Sequence, residues 1–323
     1  MKPFKMYLAA LAFAAAGNCA AAQPGKIVLG AAPTIQSLEV IVALEEGLFK
    51  KAGLDVETVR FVAGQRALEA LLGGQLDIAF MAEYPPVVAA LRKQQFGIVA
   101  TVSKYVANRF VSRSDVGFSS IKDLAGKRIG TTRATNVEYS AELALAKAGV
   151  KAEIVNVGPT DIVPALARGD IDAGVMFPDY YPRAKQVLGD KYREQVIADY
   201  TSYFVLSATK SMIDNRPEDL KKFLSAMVEA DEIIKKDPAR AKAALAKASE
   251  GALKPEAIDK AWPEYVFGLG LDNGLLDTMA SEAKWIEAKG IIPGAKADRA
   301  TMRSFIAEAP LRSLSAERVE LAP

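Results

Sequence analysis

The chain has 323 residues, of which 50% are hydrophobic, 25% charged and 8% aromatic, and this composition excludes a mainly disordered protein. Its 41 Lys and Arg residues nearly balance its 39 Asp and Glu residues, which argues against a nucleic-acid-binding protein, because such proteins carry a basic excess. The sequence contains no histidine and a single cysteine, Cys19, so most zinc sites and most nucleophile–base pairs lack their usual residues. We therefore expect a protein that is not an enzyme and that binds no metal or cofactor.

The first 22 residues have the pattern of an export signal. Two lysines precede an apolar run over Met6–Ala16, and small residues follow at Ala20–Ala22, the order that signal peptidase recognises. The apolar run is too short to span a bilayer. The pattern predicts cleavage after Ala22, which leaves Gln23 at the new N-terminus, and a periplasmic location. A lipidated Cys19 is the alternative.

The chain contains an internal repeat, in which Ala70–Met81 is similar to Ala165–Met176. Each segment predicts a helix that ends at glycine, then a polar turn and a short buried strand. Two further strands precede each segment, at Lys26–Gly30 and Val56–Val62 and at Lys127–Thr131 and Glu153–Val157. Because both halves alternate strands with helices, we predict two α/β lobes with parallel sheets.

The remaining segments join and extend these lobes. Two β-rich stretches, Ile98–Ser112 and Tyr200–Ser207, are predicted to cross between the lobes, with a hinge near Ser103–Ser112 and Tyr200–Ser207. The chain from Pro217 to Pro323 is predicted to be mostly helical, with a loop between helices at Gly268–Gly274. The predicted organisation is a signal peptide at 1–22, one lobe at 23–110 plus 208–323, and a second lobe at 111–207.

Three segments carry a resemblance to a known family: Leu44–Glu57, Gly74–Ala79 and Ile121–Gly130. Together they resemble the periplasmic solute-binding proteins of ABC importers, in the nitrate, sulfonate and taurine branch (NMT1-like). The resemblance implies a type II periplasmic binding protein fold, with two α/β lobes, two crossing strands and a ligand cleft. It also implies a monomer whose partners are a small-molecule ligand, an ABC permease and its ATPase.

Candidate ligand-binding residues follow the predicted strands, because ligands of open α/β sheets lie at the carboxyl ends of the strands. These candidates are Thr34, Gln36, Ser37, Gly64, Gln65, Arg66, Glu83, Tyr84, Thr132, Arg133, Thr135, Asp161, Phe177, Asp179, Tyr180 and Tyr203. Thr132 and Arg133 precede a predicted helix start, where hydroxyl and guanidinium groups suit a sulfonate or carboxylate. Glu83, Asp179 and Tyr180 suit an amine or an aromatic body.

The predicted function is delivery of a small organic anion, a sulfonate, a taurine-like compound or a carboxylate, to an ABC transporter. Three alternatives stay open. The first is a binding protein for a pyrimidine or thiamine precursor. The second is an enzyme that resembles the pyrimidine-precursor synthases of thiamine biosynthesis, although those enzymes rely on histidine. The third is a periplasmic sensor subunit that passes its closed state to a receptor.

Overall fold

The computed structural model describes residues 25–61 and 63–322. The predicted export signal, its cleavage point and the lipidation alternative at Cys19 lie outside these residues. Within the described ranges, every helix is too short or too polar to cross a membrane.

The described residues form two sheets. The strands are β1 Gly25–Gly30, β2 Leu54–Val59, β3 Ile78–Ala82, β4 Phe96–Tyr105, β5 Arg109–Arg113, β6 Arg128–Thr131, β7 Glu153–Asn156, β8 Ala173–Gly174, β9 Tyr192–Val196, β10 Ser202–Thr209, β11 Tyr265–Asp272 and β12 Val319–Glu320. The large sheet has the strand order β12-β11-β4-β10-β3-β1-β2, and the small sheet has the order β7-β6-β8-β5-β9. Each sheet is the centre of one lobe.

Helices cover both sheets. They are α1 Leu38–Glu45, α2 Leu48–Lys51, α3 Gly64–Leu72, α4 Tyr84–Leu91, α5 Asn136–Lys147, α6 Ile162–Arg168, α7 Tyr181–Leu188, α8 Lys210–Asn215, α9 Pro217–Lys236, α10 Pro238–Ala248, α11 Pro255–Ala261, α12 Asn273–Ala288, α13 Arg299–Ser304 and α14 Ala309–Leu314. The long helix α9 buries Leu220, Phe223, Leu224 and Met227, the spacing of one helical face. Phe223 stacks on Phe49 of α2, with 4.8 Å between the ring centroids.

The internal repeat folds as predicted. In the large sheet β1 pairs in parallel with β2 and β3, and in the small sheet β6 pairs in parallel with β7 and β8. Helix α3 connects β2 to β3, and α6 connects β7 to β8. The two-lobed α/β fold that the sequence predicts is therefore confirmed.

A repeated aspartate explains part of the similarity between the two halves. Asp77 precedes β3, and its carboxylate accepts hydrogen bonds from the backbone N–H of Val28 and from the guanidinium of Arg216, both at 2.9 Å. Asp172 precedes β8, and its carboxylate accepts one from the backbone N–H of Arg128 at 2.8 Å. Each aspartate thus holds the last strand of its repeat against the first.

Replacing Asp77 with alanine is expected to lower the free energy of unfolding by about 2 kcal/mol, since two donors lose their acceptor. Urea denaturation followed by circular dichroism measures this difference. Asp170→Ala is the matched control, because Asp170 is exposed and, among the residues that the structure describes, its carboxylate pairs only with its neighbour Arg168. We expect the control to change stability by less than about 0.5 kcal/mol. Equal losses in the two variants would contradict the role of Asp77.

The chain passes between the sheets twice. It leaves the large sheet after Tyr105 and enters the small sheet at Arg109, and it returns between Val196 and Ser202. The returning strand, β10, lies between β3 and β4 and pairs antiparallel with both. The lobe boundaries at 110 and 207 stay a prediction.

A buried arginine, Arg109, ties the first crossing to both sheets. Its side chain is 9% exposed, and its guanidinium lies 3.0 Å from the Glu194 carboxylate and 2.6 Å from the Glu264 carboxylate. It also donates to the Tyr105 hydroxyl at 3.0 Å and lies 4.8 Å from the ring centroid of Tyr181. Glu194 belongs to the small sheet, whereas Glu264 precedes β11 of the large sheet. Arg109 therefore connects the lobes where the chain crosses.

The glycine-rich segment 268–274 is not a loop between helices, and that expectation was wrong. Most of it belongs to β11, which pairs with β4 and β12. The pairing with β4 has an irregularity between Phe267 and Gly270. A Cβ atom at Gly270 would lie 3.1 Å from the backbone oxygen of Arg318. The glycines therefore serve a bulge and a close approach of the backbone inside a strand.

Candidate functional site

A cavity of about 240 Å³ lies between the two sheets, at the carboxyl ends of their parallel strands. The large-sheet lobe contributes the end of β1, the turn before α1 and the start of α3. The small-sheet lobe contributes the start of α5 and the turn Pro178–Tyr180. This is the place where open α/β sheets bind ligands.

Five aromatic rings form much of the cavity wall. Phe61, Phe80 and Phe204 come from the large-sheet lobe, and Phe177 and Tyr180 come from the small-sheet lobe. Phe80 and Phe204 are stacked, with 5.9 Å between the ring centroids and 15° between the ring planes. Such a wall favours a ligand with an apolar or aromatic body.

Two helix starts face the cavity, one from each lobe. The N-cap residues of α3 and α5 are Ala63 and Thr135, and neither makes a side-chain capping hydrogen bond. Backbone N–H groups at a helix start carry partial positive charge and bind anions. Gly64 lets the start of α3 lie close against β3, because a Cβ atom at this position would lie 2.7 Å from the Cβ of Met81. The starts of α3 and α5 thus bring partial positive charge to the cavity from both lobes.

The polar side chains of the wall are mostly engaged within the protein. The hydroxyl of Thr132 donates to the backbone oxygen of Val157 at 3.0 Å, and that of Thr135 donates to the backbone oxygen of Thr132 at 2.6 Å. The side-chain amide of Asn136 donates to the Ser202 hydroxyl at 3.0 Å. These bonds fix the shape of the small-sheet side of the wall.

Among the described residues, Asp179 is the one charged side chain that lines the cavity. The amide of Gln36, on the opposite lobe, donates to its carboxylate at 3.4 Å. Atoms of both lobes surround this carboxyl and raise its pKa to about 6. Water in the cavity still reaches it, because Asp179 is an exposed residue. The wall thus offers a carboxylate with no cationic side chain beside it.

The structure brings nine of the predicted residues to the cavity wall. They are Thr34, Gln36, Gly64, Gln65, Thr132, Thr135, Phe177, Asp179 and Tyr180. Contact of these residues with a ligand stays a prediction.

The structure places Ser37, Arg66, Arg133 and Asp161 away from the wall. The hydroxyl of Ser37 turns inward and donates to the backbone oxygen of Ala32 at 2.6 Å. Arg66 and Arg133 have side chains that are 71% and 62% exposed. Asp161 is exposed at the start of α6. None of these four side chains is part of the cavity lining.

Glu83, Tyr84 and Tyr203 are also away from the wall, because they are packed behind it. Tyr84 is fully buried, and its ring meets Trp285 edge-on at 6.2 Å between centroids. Tyr203 is 7% exposed, and its ring lies 5.0 Å from the ammonium nitrogen of Lys104. Glu83 is fully buried and accepts a hydrogen bond from the backbone N–H of Tyr203 at 2.9 Å.

Glu83 belongs to a buried acidic cluster with Glu282 of α12 and Tyr200 of the second crossing. The Tyr200 hydroxyl contacts Glu83 and lies 3.3 Å from Glu282. Burial raises the pKa of Glu83 to about 7. Burial and the neighbouring Glu83 raise the pKa of Glu282 well above its usual range. The cluster therefore holds at least one proton at neutral pH.

The sequence analysis missed several wall residues: Phe61, Phe80, Pro85, Asn136 and Phe204. Phe61 closely follows β2, and Phe80 lies near the end of β3. Both positions could have been found by noting large aromatic residues at the carboxyl ends of strands. Phe204 lies inside β10, in the apolar run from Tyr203 to Leu206, so the sequence held no comparable signal for it.

The family model of NMT1/THI5-like proteins matches residues 34–241 of the chain, more than half of its length. The solved structure of the alkanesulfonate-binding protein SsuA from Xanthomonas axonopodis pv. citri, bound to MOPS, is similar with a TM-score of 0.73 and 18% identity. That alignment covers 89% of this chain and 100% of the other. The desulfurization enzyme DSZB is similar with a TM-score of 0.62 and 16% identity, over 91% and 100% of the two chains. The same fold therefore occurs in binding proteins and in an enzyme.

Curated relatives match over part of their length. A protein of Brucella abortus (strain 2308) is 28% identical over 207 residues, which cover 61% of this chain and 63% of that protein. The taurine-binding periplasmic protein of Escherichia coli (strain K12) is 28% identical over 190 residues, or 57% and 58% of the two chains. The chain thus spans less than two thirds of the length of these relatives. On the match of the family model, the chain belongs to the NMT1/THI5-like family, and it has the fold of the periplasmic binding proteins.

Proposed function

We propose that this chain is an extracytoplasmic binding protein that delivers a small organic anion, a sulfonate or a carboxylate, to an ABC permease and its ATPase. The observation that carries the proposal is the pair of uncapped helix starts, α3 and α5, which face one cavity from opposite lobes. The similarity to proteins named for binding taurine and alkanesulfonates supports the same ligand class.

Transport requires that the ligand favour a closed form of the protein, and the lobes already meet across the cleft. Gln36 contacts Asp179, and the hydroxyl of Tyr139 lies 2.7 Å from that of Ser281. A ligand that touches both lobes stabilises the closed form by its greater affinity for that form. The permease would then recognise the closed form.

Binding is favoured over catalysis by the chemistry of the cavity wall. The hydroxyls of Thr132 and Thr135 donate to backbone oxygens, so neither is held by a basic side chain. Asp179 carries the sole carboxyl group on the wall among the described residues. A nucleophile activated by an adjacent base, as acyl-transfer enzymes require, is not among these contacts.

Export is part of the proposal and has a direct test. We expect the protein recovered from the periplasm to begin at Gln23, because the first 22 residues have the order of a cleavable signal. Intact-mass spectrometry of that protein measures the cleavage point. A diacylated chain that begins at Cys19 would contradict the proposal and would place the protein on a membrane surface.

A thermal-shift screen tests the ligand class. The compounds are taurine, alkyl and aryl sulfonates, aromatic carboxylates, nitrate and aminopyrimidines. A ligand at a hundred times its dissociation constant adds about 2.7 kcal/mol to the free energy of unfolding, which raises the melting temperature measurably. Shifts with sulfonates or carboxylates support the proposal. Shifts with aminopyrimidines alone would overturn it in favour of a pyrimidine-precursor-binding protein, which the aromatic wall would also suit.

Two variants then test the position of the anion. Gly64→Ala should weaken binding of an anionic ligand at least about tenfold, since the added methyl group forces the start of α3 away from β3 and one charge-assisted hydrogen bond contributes about 1.5 kcal/mol or more. Arg133→Ala should leave affinity unchanged, because that side chain is exposed and away from the wall. The reverse pattern would move the anion site to Arg133.

A further inference from the structure

Gln36 and Asp179 face each other across the cleft and are held by different lobes. Gln36 lies in the turn before α1, and the hydroxyl of Ser103 donates to its backbone oxygen at 2.6 Å, which fixes that turn to β4. Asp179 lies in the turn Pro178–Tyr180 that precedes α7. The amide nitrogen of Gln36 is 3.4 Å and 3.5 Å from the two carboxylate oxygens. These are long hydrogen bonds, so a better donor could replace them.

The two side chains together hold more acceptors than the protein satisfies. Gln36 is 3% exposed, and its side-chain oxygen is buried with no hydrogen-bond partner among the described residues. The carboxylate of Asp179 accepts from Gln36 alone in the same part of the chain. A buried acceptor without a donor is costly. The site therefore lacks donors, and a ligand in the cavity is in a position to supply one to the exposed carboxylate of Asp179.

The negative charge of Asp179 also favours a ligand that carries a donor group. No Lys or Arg side chain lines the cavity in the described ranges, so Asp179 has no counter-charge there. Phe177 and Tyr180 flank it in the sequence and also line the cavity. Aromatic faces attract cations as well as apolar groups. A cationic donor next to these rings would satisfy the acceptors and the charge at once.

We infer that Gln36 and Asp179 form a subsite for an ammonium group of the ligand, and that the preferred ligand is an aromatic zwitterion. The inference rests on the proposed function, in which the helix starts bind the acidic end of the same ligand. The five aromatic rings would contact the body between the two charged ends. Because Gln36 and Asp179 belong to different lobes, the ammonium group would hold the lobes together and couple recognition to closure.

Three sulfonates and one amine test the inference by calorimetry on the mature protein. The compounds are 4-(aminomethyl)benzenesulfonate, its methyl analogue 4-methylbenzenesulfonate, taurine and benzylamine. We expect the aminomethyl compound to bind at least about tenfold more tightly than the methyl analogue, the scale of one charge-assisted hydrogen bond. We also expect it to bind more tightly than taurine, which has no ring.

The outcomes separate this inference from the proposed function. Equal affinity of the aminomethyl and methyl compounds would overturn the ammonium subsite and leave the anion site standing. Binding of benzylamine with no sulfonate bound would support the subsite and overturn the proposed anionic ligand. Binding of none of the four compounds would overturn both.

The preference for the aminomethyl compound over the methyl analogue can also be measured in variants and as a function of pH. A purely structural role of Asp179 would leave this preference unchanged. Asp179→Asn keeps the shape of the side chain, and it should reduce the preference for the aminomethyl compound to less than about threefold. Asp161→Asn is the control, since Asp161 is exposed and away from the wall. Affinity for the aminomethyl compound should fall as the pH drops from 7 to 5, because the Asp179 carboxyl takes up a proton near pH 6. A preference that is independent of pH and of Asp179→Asn would overturn the inference.

Discussion

Replacing Arg109 with methionine is expected to lower the free energy of unfolding by about 3 kcal/mol. The change removes a nearly buried guanidinium and leaves Glu194 and Glu264 without their partner. Breaking a buried ion pair from one side costs about 3–5 kcal/mol. The low end of that range applies here, because the two carboxylates are 36% and 32% exposed and water screens them.

Chemical denaturation monitored by tryptophan fluorescence measures the loss at Arg109. Arg168→Met is the matched control, since Arg168 is exposed and its guanidinium pairs only with Asp170 in the described part of the chain. It should change stability by less than about 0.5 kcal/mol. The loss of stability in Arg109→Lys should lie between those of the other two variants. Lysine keeps the positive charge but lacks the planar guanidinium that can bind two carboxylates at once. A loss below about 1 kcal/mol for Arg109→Met would contradict a central role for this residue at the crossing.

The buried acids Glu83 and Glu282 are expected to make the protein less stable as the pH rises from 5 to 7. Both have a raised pKa in the folded chain. The unfolded chain therefore releases these protons at a lower pH than the folded chain does. Their contribution is full below the unfolded value near 4.5 and is lost as the pH rises through the folded values. Each such proton gives a slope of about 1.4 kcal/mol per pH unit.

Glu282→Gln isolates this effect, because glutamine is neutral and of similar shape. The variant should lose the slope of about one proton, or about 2–3 kcal/mol between pH 5 and pH 7. Other raised groups, Asp179 and Glu39 among them, should contribute equally to the parent and the variant. Glu287→Gln, an exposed position on the same helix, should keep the parental slope. Urea denaturation at several pH values measures the slope for the parent protein and for both variants. A parental slope in Glu282→Gln would contradict the raised pKa values of the buried acidic cluster.

The fold could be predicted largely because the sequence repeats itself. The same order of strand, helix, glycine and aspartate ends at Asp77 in the first half and at Asp172 in the second. Both aspartates accept a hydrogen bond from the first strand of their repeat. The segment around Gly270 could not be predicted in this way. Its glycines resemble those of a loop, whereas in the fold Gly270 fits a strand because the backbone oxygen of Arg318 lies against it and β12 pairs with the next two residues.

The candidate site could be predicted at the level of loops, and at the level of individual side chains only in part. The strand ends at 132–135 and 177–180 do line the cavity. Within the first of these loops the sequence favoured Arg133, yet its side chain is exposed while Asn136 faces the cavity. The direction of each side chain depends on how the first turn of α5 is rotated. Glu83 and Tyr84 show the same limit, because packing against α12 and Trp285 turns them away from the ligand side.

The central position of β10 has a consequence for the order in which the protein folds. This strand separates β3 from β4, although it follows both by about a hundred residues of chain. Residues 109–196, which form the small sheet, are contiguous, so their contacts need no distant segment. In the large sheet, β3 and β4 cannot be joined until residues 202–209 are available, and β11 and β12 come later still; contacts between distant segments form slowly. A chain emerging from synthesis would therefore keep its large-sheet lobe open for most of translation, while the small sheet could already form.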